Sequence, residues 1–213
     1  MHYMNEMYAA TVLLLCYSGV FAAAEALFRF GVAREFSRKF AHVFGAGVTM
    51  LLPFYGSLLL AGIFGVLFTT VILAARKYGF IQSIREGPTA YGSVLFPIGL
   101  TLACVLFWND PLALLAGIAI FGLADPVAAI VGGSFGKIHY DISGPKTLEG
   151  SIAFFAASVT VFLVVMSFAR VDFRIFPLIA ASAFLALTEG SFGNGKDNLI
   201  LPAAGAFAAS LFL

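Results

Sequence analysis

Long apolar segments separated by short polar loops divide this sequence from end to end. A helix that crosses the hydrocarbon core of a bilayer needs about 20 predominantly apolar residues. Charged residues make up only 11% of the chain, against roughly 25% in soluble domains. The candidate membrane helices cover residues 9–28, 41–54, 56–75, 92–108, 111–134, 150–169, 175–190 and 199–213. Because the second and the last are short, the sequence predicts an all-α polytopic membrane helix bundle with seven or eight transmembrane helices, in one domain that covers residues 1–213.

Positive charge is sorted between the two sets of loops. All lysines and arginines except Arg170 and Arg174 lie in alternate loops, around residues 29–39, 76–85, 137–146 and 196. Loops rich in lysine and arginine stay on the cytoplasmic side of a membrane. The pattern therefore predicts a multi-pass protein of the cell membrane, with the four basic loops in the cytoplasm and both termini outside.

Asp125 is a carboxylate inside the fifth apolar segment, and Pro126 follows it directly. Ionisable groups at membrane depth are costly and tend to mark functional sites. Proline breaks a continuous helix but suits the first position of a new one. We therefore expect a broken helix at Asp125-Pro126, with Asp125 as a metal ligand or a base for a hydroxyl group. The alternative is that Asp125 only caps the second half-helix.

A glycine cluster, Gly132, Gly133 and Gly136, precedes Lys137 on the predicted cytoplasmic side. Glycines allow backbone N–H groups to surround phosphate oxygens, and a lysine adds a point charge. The spacing does not match a P-loop, because Ile138 occupies the position of the magnesium-binding Ser or Thr. Gly132 and Gly136 also match a GxxxG helix-packing pattern. Phosphate binding and helix packing are both open interpretations.

The start of the sixth segment carries Lys146, Thr147 and Glu149. A Thr followed by an acid is a common helix-capping pattern, and a lysine at the membrane edge can extend to the interface. Together with Lys137 and Asp141, however, these residues place two cations and several carboxylates in one short loop. Such a set suits a magnesium–triphosphate group.

The Glu-Gly-Ser triplet of residues 149–151 recurs at the end of the seventh segment, where it begins with Glu189. Lys196, Asp197 and Asn198 follow on the same predicted side. Asp197 or Asn198 also suits a cap for the eighth helix. Glu189 has no such explanation, since a membrane disfavours a carboxylate without a partner.

Arg38, Lys39 and His42 form a basic segment on that same side. A juxtamembrane basic segment is attracted to anionic lipid, by about 1 kcal/mol per charge. His42 also suits an ordinary histidine at a helix end. We treat these three residues as possible accessories to the site. The smaller cluster of Arg76, Lys77, Arg85 and Glu86 is interpreted as an orientation signal.

Four motifs together resemble a known family. They are Arg38-Lys39-x-x-His42, Asp125-x-x-Ala128-x-x-x-Gly132-x-x-x-Gly136-Lys137, Lys146-Thr147-x-Glu149-Gly150-Ser151, and Glu189 followed by Asp197-Asn198-Leu199-x-x-Pro202. In this order the chain resembles the CTP-dependent polyprenol (dolichol) and phytol kinases, which are related to the CTP-using diacylglycerol kinases and to the phosphatidate cytidylyltransferases. The resemblance covers nearly the whole chain. One departure is Ala124, where such proteins often have Gly.

The resemblance implies phosphoryl transfer from CTP to the hydroxyl of a membrane isoprenoid alcohol, assisted by Mg²⁺ or another divalent cation. The catalytic candidates are Asp125, Glu149 and Glu189, and the metal candidates are Asp125, Glu149 and Asp197. Candidates for nucleotide or phosphate binding are Gly132, Gly133, Gly136, Lys137, Lys146, Thr147, Lys196 and Asn198. The alcohol is expected to arrive between the fifth, sixth and seventh segments, with its tail along their apolar faces.

Two other functions compete with this hypothesis. A cytidylyltransferase would bind CTP in the same site but transfer CMP to a lipid phosphate and release pyrophosphate. A small ion-coupled transporter would use Asp125 and Glu189 as coupling carboxylates near broken helices. The expected partners are a nucleotide, a membrane lipid alcohol and the lipid bilayer, with no nucleic acid. The oligomeric state is open, because one GxxxG pattern does not specify a dimer.

Overall fold

The computed structural model describes residues 2–172 and 174–213. Its helices and strands follow in the order α1 (His2–Arg29), α2 (Arg34–Thr49), α3 (Leu52–Tyr55), α4 (Leu58–Tyr78), α5 (Gly92–Phe107), α6 (Pro111–Phe135), β1 (His139–Asp141), β2 (Pro145–Thr147), α7 (Leu148–Ala169), α8 (Ile175–Ser191) and α9 (Asp197–Ser210). The predicted all-α bundle is confirmed. One feature was not predicted: β1 and β2 pair as a short antiparallel hairpin, with Tyr140 opposite Lys146.

Helix α6 is the central helix of the bundle. It packs against α2, α7 and α9, and Leu114, Ile118 and Phe121 are fully buried. A helix that is apolar on all sides belongs in the middle of a bundle. The closest approach is to α9, where a Cβ on Gly117 would lie 2.4 Å from the backbone nitrogen of Ala206. Any larger residue at position 117 would push the two helices apart.

The expected break at Asp125-Pro126 is wrong, because α6 continues from Pro111 to Phe135 through both residues. Proline removes one backbone donor, and the chain on either side keeps its helical hydrogen bonds. Membrane helices tolerate this loss where neighbouring helices support the segment. Asp125 and Pro126 are buried, within a helix that α2, α7 and α9 hold from several sides. Asp125 therefore projects from a continuous helix.

Within the described residues, four helices are long and apolar enough to cross a membrane: Glu6–Arg29, Leu58–Tyr78, Pro111–Phe135 and Leu148–Ala169. Two shorter apolar helices are Gly92–Phe107 and Ile175–Ser191. The predicted segment 41–54 is divided between α2 and α3, and α2 already begins at Arg34. Large apolar side chains such as Leu59, Phe168 and Phe176 are strongly exposed, as expected for a lipid-facing surface. The count of seven or eight spans and the orientation stay predictions.

Candidate active site

The four loops that the sequence predicts on one side of the membrane meet at one end of the bundle. Arg38, near the start of α2, forms an ion pair with Glu86 of the loop before α5. In the same loop, the backbone N–H of Tyr91 donates to the carbonyl of Asn194 over 3.1 Å. The hairpin joins this group through Ser143, whose hydroxyl donates to the carbonyl of Ser191 at 2.9 Å. Segments far apart in the sequence therefore build one polar end.

Three buried carboxylates converge at this end. Asp125 comes from α6, Glu189 from the last turn of α8, and Asp197 from the first turn of α9. One oxygen of each lies within 4.8 Å of the others. The residues are only 4%, 4% and 6% exposed. Like charges so close in a buried place are unfavourable without compensating cations.

Two lysines supply that compensation. Lys39 Nζ lies 2.7 Å from Asp125 Oδ2, and Lys146 Nζ lies 2.8 Å from Asp197 Oδ2. Lys146 also contacts Glu189, so one ammonium group bridges two carboxylates. Asp125, Glu189 and Asp197, which we call the carboxylate cluster, thus form an ionic network with the two lysines.

The pKa values of the groups outside the spanning segments follow from this network. Burial alone would lower the pKa of Lys146, but the adjacent Asp197 and Glu189 outweigh it and raise the pKa well above the ordinary value. Burial raises the pKa of Asp197, the nearby charge of Asp125 adds to the increase, and Lys146 opposes it. Lys146 is therefore a firmly cationic group, while Asp197 binds a proton more readily than an isolated aspartate.

His42 packs directly beside the carboxylate cluster. Its ring lies between Phe96 and Phe121, at centroid distances of 4.8 Å and 4.3 Å. Nε2 is 2.9 Å from the carbonyl oxygen of Phe121 and 3.7 Å from Asp125 Oδ2. A ring nitrogen that donates to a backbone carbonyl has its orientation fixed. His42 is thus held against Asp125 by its surroundings.

The hairpin supports Glu189 through a short chain of hydroxyl groups. The Tyr140 hydroxyl and Ser151 Oγ are 2.6 Å apart, and Ser151 Oγ donates to Glu189 Oε2 over 3.5 Å. The first Glu-Gly-Ser triplet therefore contributes its serine to the second triplet's glutamate. Sequence reasoning noted the repeat but did not find this contact, because spatial adjacency of two triplets cannot be read from spacing.

Glu86 is a second residue that sequence reasoning did not assign to the site. It pairs with Arg38 and accepts hydrogen bonds of 2.9 Å from the backbone N–H and the hydroxyl of Ser93. Arg38 is also 2.7 Å from Glu35. The sequence signal was one carboxylate within a basic loop, and that loop was interpreted only as an orientation signal. Glu86 fixes Arg38 at the rim of the site.

The glycine cluster mainly allows close packing between backbone segments, and it has little of the character of a phosphate-binding loop. Gly132 and Gly133 lie within α6, and the N–H of Gly136 donates to the carbonyl of Gly132. A Cβ on Gly132 would lie 2.6 Å from Thr147 Oγ1, and one on Gly136 would lie 2.6 Å from Thr147 Cγ2. A Cβ on Gly133 would meet nothing within 4 Å. The structure thus favours packing for Gly132 and Gly136 and leaves Gly133 facing open space.

Thr147 and Asn198 hold the backbone around the site. Thr147 Oγ1 accepts the N–H of Gly150 and so caps α7. Asn198 Nδ2 donates to the carbonyl of Gly92 over 2.8 Å and ties α9 to α5. Both residues line the central cavity, so a structural role and a binding role are compatible.

A cavity of about 530 Å³ brings most of the predicted residues together. Those that line it are Arg38, Lys39, His42, Asp125, Gly132, Gly133, Lys146, Thr147, Glu189, Asp197 and Asn198. Those outside its lining are Gly136, Lys137, Glu149 and Lys196. Lys137 and Lys196 are exposed, and Glu149 accepts the N–H of Ile138 at 3.3 Å. The four carboxylates named from the sequence are therefore divided, with Glu149 apart from the other three.

No protein-family model and no solved structure matches the chain. A curated relative does: the chain is 28% identical over 214 residues to a protein named phytol kinase from Synechocystis sp.. The resemblance to the polyprenol and phytol kinases is confirmed. The alignment covers 95% of this chain and 91% of the relative, so the similarity extends over nearly the full length of both.

Proposed function

We propose that this protein is a membrane kinase that transfers the γ-phosphoryl group of CTP to the hydroxyl of an isoprenoid alcohol, with Mg²⁺. Homology to a phytol kinase supports phosphorylation of an isoprenoid alcohol. The observation that carries the proposal for this site is the buried cluster of Asp125, Glu189 and Asp197 at the polar end of a cavity whose other walls are largely apolar. A phosphoryl-transfer site and a lipid-binding site thus adjoin each other.

The three carboxylates fit a hard divalent cation. Mg²⁺ prefers oxygen ligands and is commonly held by one or two carboxylates together with phosphate oxygens and water. Asp125, Glu189 and Asp197 offer oxygen atoms close enough to share one ion, and their mutual repulsion favours binding a cation. Bound there, Mg²⁺ would neutralise charge on the phosphate groups. Glu149, a metal candidate from the sequence, lies outside this group.

The cationic side chains suit a triphosphate. Lys39 and Lys146 each contact the carboxylate cluster, and Arg38 lines the same cavity. Phosphoryl transfer depends on positioning and charge neutralisation more than on covalent chemistry. Lys146 holds phosphate oxygens beside Glu189 and Asp197, while Lys39 does so beside Asp125. Lys137 and Lys196 serve only parts of the nucleotide that extend outside the cavity.

The reaction requires one proton transfer. The alcohol oxygen forms a bond to the γ-phosphorus, the bond to the bridging oxygen breaks, and CDP leaves. A carboxylate of the cluster accepts the hydroxyl proton as this occurs. His42, fixed by the carbonyl of Phe121, keeps Asp125 in place for that task. The site is proposed to face the cytoplasm, where the nucleotide is found, with both termini outside.

A product assay on purified protein in detergent tests the proposal. Labelled CTP or ATP and Mg²⁺ are combined with phytol, farnesol, a long polyprenol, diacylglycerol or phosphatidate. A phosphorylated isoprenoid alcohol with release of CDP is the expected result. Pyrophosphate formed with phosphatidate would instead identify a cytidylyltransferase. Absence of turnover with every pair, together with no thermal stabilisation by nucleotide, would overturn the proposal in favour of transport.

A further inference from the structure

We propose that the apolar part of the cavity is a channel for the single hydrocarbon tail of the alcohol, and that its inner end, where Tyr17 contacts Thr49, limits the length of that tail. This inference rests on the proposed kinase function and names the part of the protein that selects the substrate. The tail channel, as we call it, lies between α1, α2, α4 and α5.

The tail channel is continuous with the carboxylate cluster. One cavity includes Asp125, Glu189 and Asp197 at its polar end and Phe64, Phe68 and Leu100 on its apolar walls. An alcohol whose hydroxyl lies at the carboxylates therefore has an enclosed apolar space for its tail. The tail comes from the bilayer, and the apolar walls keep it in an environment as apolar as the lipid that it leaves.

One face of α2 follows the channel from end to end. His42, Gly45 and Thr49 all line the cavity, at a helical spacing that places them on the same side. With a rise of 1.5 Å per residue, His42 and Thr49 are about 10 Å apart along the helix. On α5 the lining extends from Ser93 to Cys104, which corresponds to about 16 Å. The channel is thus deep enough for an extended isoprenoid tail of several units.

The inner end of the channel is enclosed. The Tyr17 hydroxyl and Thr49 Oγ1 are 2.7 Å apart and buried, and Leu52, Ala61 and Cys104 beside them are at most 3% exposed. The exposed residues of the lining are instead at the polar end, at Ala129, Gly133, His139, Pro145 and Asn194. Water and nucleotide thus reach the cavity at one end, and the other end is closed by protein.

This position differs from the one expected from the sequence. The tail was expected between the predicted segments 111–134, 150–169 and 175–190. Among the described residues, no side chain of α7 lines the cavity, and α8 contributes only Glu189. Helix α7 instead packs closely on α6 and α8, and α8 packs on α7 and α9. The apolar walls come instead mainly from α1, α2, α4 and α5.

A pair of substitutions on α5 tests the tail channel. Cys104→Phe places a ring in the inner end, whereas Val105→Phe places the same ring on the outer surface, where Val105 is 55% exposed. For Cys104→Phe we expect kcat/KM for phytol to fall by about tenfold or more, since filling a pocket discriminates by 10–200-fold per group. Activity with geraniol, a shorter alcohol, should stay within about threefold of wild type. Val105→Phe should leave both values unchanged.

A second measurement does not depend on turnover. A photoactivatable isoprenoid alcohol, with the reactive group at the far end of its tail, is irradiated with the wild-type protein without nucleotide, and labelled peptides are identified by mass spectrometry. Label on Tyr17, Ala61 or Cys104 supports the tail channel. Label confined to α7 and α8 overturns it.

The two measurements separate the inference from the proposed function. Suppose that the wild type phosphorylates phytol but that Cys104→Phe loses activity equally with phytol and geraniol, or that the label lies on α7 and α8. Either result overturns the tail channel and leaves the kinase function in place. Label at the inner end without turnover of any alcohol supports the channel and overturns the kinase. If Cys104→Phe does not fold, Ala61→Phe makes the same test from α4.

Discussion

Lys39 Nζ and Asp125 Oδ2 are 2.7 Å apart, although the two residues are 86 positions apart in the sequence. The contact joins α2 to α6 at the polar end of the cavity. It brings a segment interpreted only as accessory into direct contact with the central carboxylate. A buried ion pair of this kind costs desolvation energy, and removal of one partner leaves an uncompensated charge. A substitution at Asp125 must therefore be checked for folding as well as for activity.

Asp125→Asn should abolish kinase activity while the protein still folds. The amide has the size of the carboxylate and its oxygen can still accept a hydrogen bond from Lys39, but it neither takes up a proton nor binds Mg²⁺ well. We expect a loss of at least about 100-fold in kcat, as for removal of a general base. The CDP release rate and the elution profile in detergent report activity and folding.

Asp110→Asn is the matched control for this variant. Asp110 caps the other end of the same helix by accepting the N–H of Ala113, and Asn is an equally good N-cap. Its activity should equal that of the wild type. If Asp125→Asn kept most of its turnover, Asp125 would have no part in the mechanism.

The two Glu-Gly-Ser triplets allow a direct test of the metal site. Glu189→Gln should raise the Mg²⁺ concentration for half-maximal activity by about tenfold or more, as loss of metal-site residues commonly does. Glu149→Gln should change it little, because Glu149 lies outside the carboxylate cluster. Titrations of activity with Mg²⁺, after removal of metal by a chelator, measure both.

Thermal unfolding gives a readout of metal binding without turnover. Mg²⁺ should stabilise the wild type and Glu149→Gln, because binding to the folded state adds to its stability. The stabilisation should be weaker in Glu189→Gln. Equal effects of the two substitutions would return Glu149 to the metal site that the sequence suggested.

Two of the three lysines assigned to nucleotide binding from the sequence, Lys146 and Lys137, should differ strongly in their effect on turnover. Lys146 contacts Glu189 and Asp197 inside the cavity, whereas Lys137 is exposed and does not line it. Lys146→Met should lower kcat by about 100-fold or more, since it removes an electrostatic contact to the transferred group. Lys137→Met should lower it by no more than about threefold, because exposed charges contribute little. Steady-state kinetics with CTP measure both variants.

Folding must be monitored for Lys146→Met, since Glu189 and Asp197 lose their shared cation. Lys146→Arg is the useful companion, because it keeps the charge but alters the geometry. A folded Lys146→Met protein with near wild-type turnover would contradict the proposed role. A Lys137→Met protein that had lost its activity would contradict the position of Lys137 outside the reacting part of the site.

The sequence predicted which segments form helices and which residues belong to the candidate site better than it predicted the contacts between them. Apolar segments and charge sorting indicated the bundle because spanning lengths and loop charges are local properties. The sequence grouped Asp125, Glu149, Glu189 and Asp197 in one candidate site, but it did not separate Glu149 from the three that converge. The contacts of Lys39, Glu86 and Ser151 depend on how α2, the loop before α5 and the hairpin pack, which spacing does not encode. The prediction of a helix break at Pro126 was wrong for the same reason, since neighbouring helices decide whether a proline interrupts a helix.

Gly132→Ala and Gly133→Ala should separate helix packing from phosphate binding. A methyl group at position 132 would lie 2.6 Å from Thr147 Oγ1, so the cap of α7 and the adjacent Lys146 must shift. Overpacking of this kind typically costs about 1–3 kcal/mol. At position 133 the methyl group would enter open space, and alanine favours a helix over glycine by about 1 kcal/mol. We therefore expect a lower melting temperature and lower activity for Gly132→Ala, with an unchanged or higher melting temperature for Gly133→Ala. A Gly133→Ala protein of normal stability with a raised KM for CTP would instead indicate that phosphate approaches this part of the backbone.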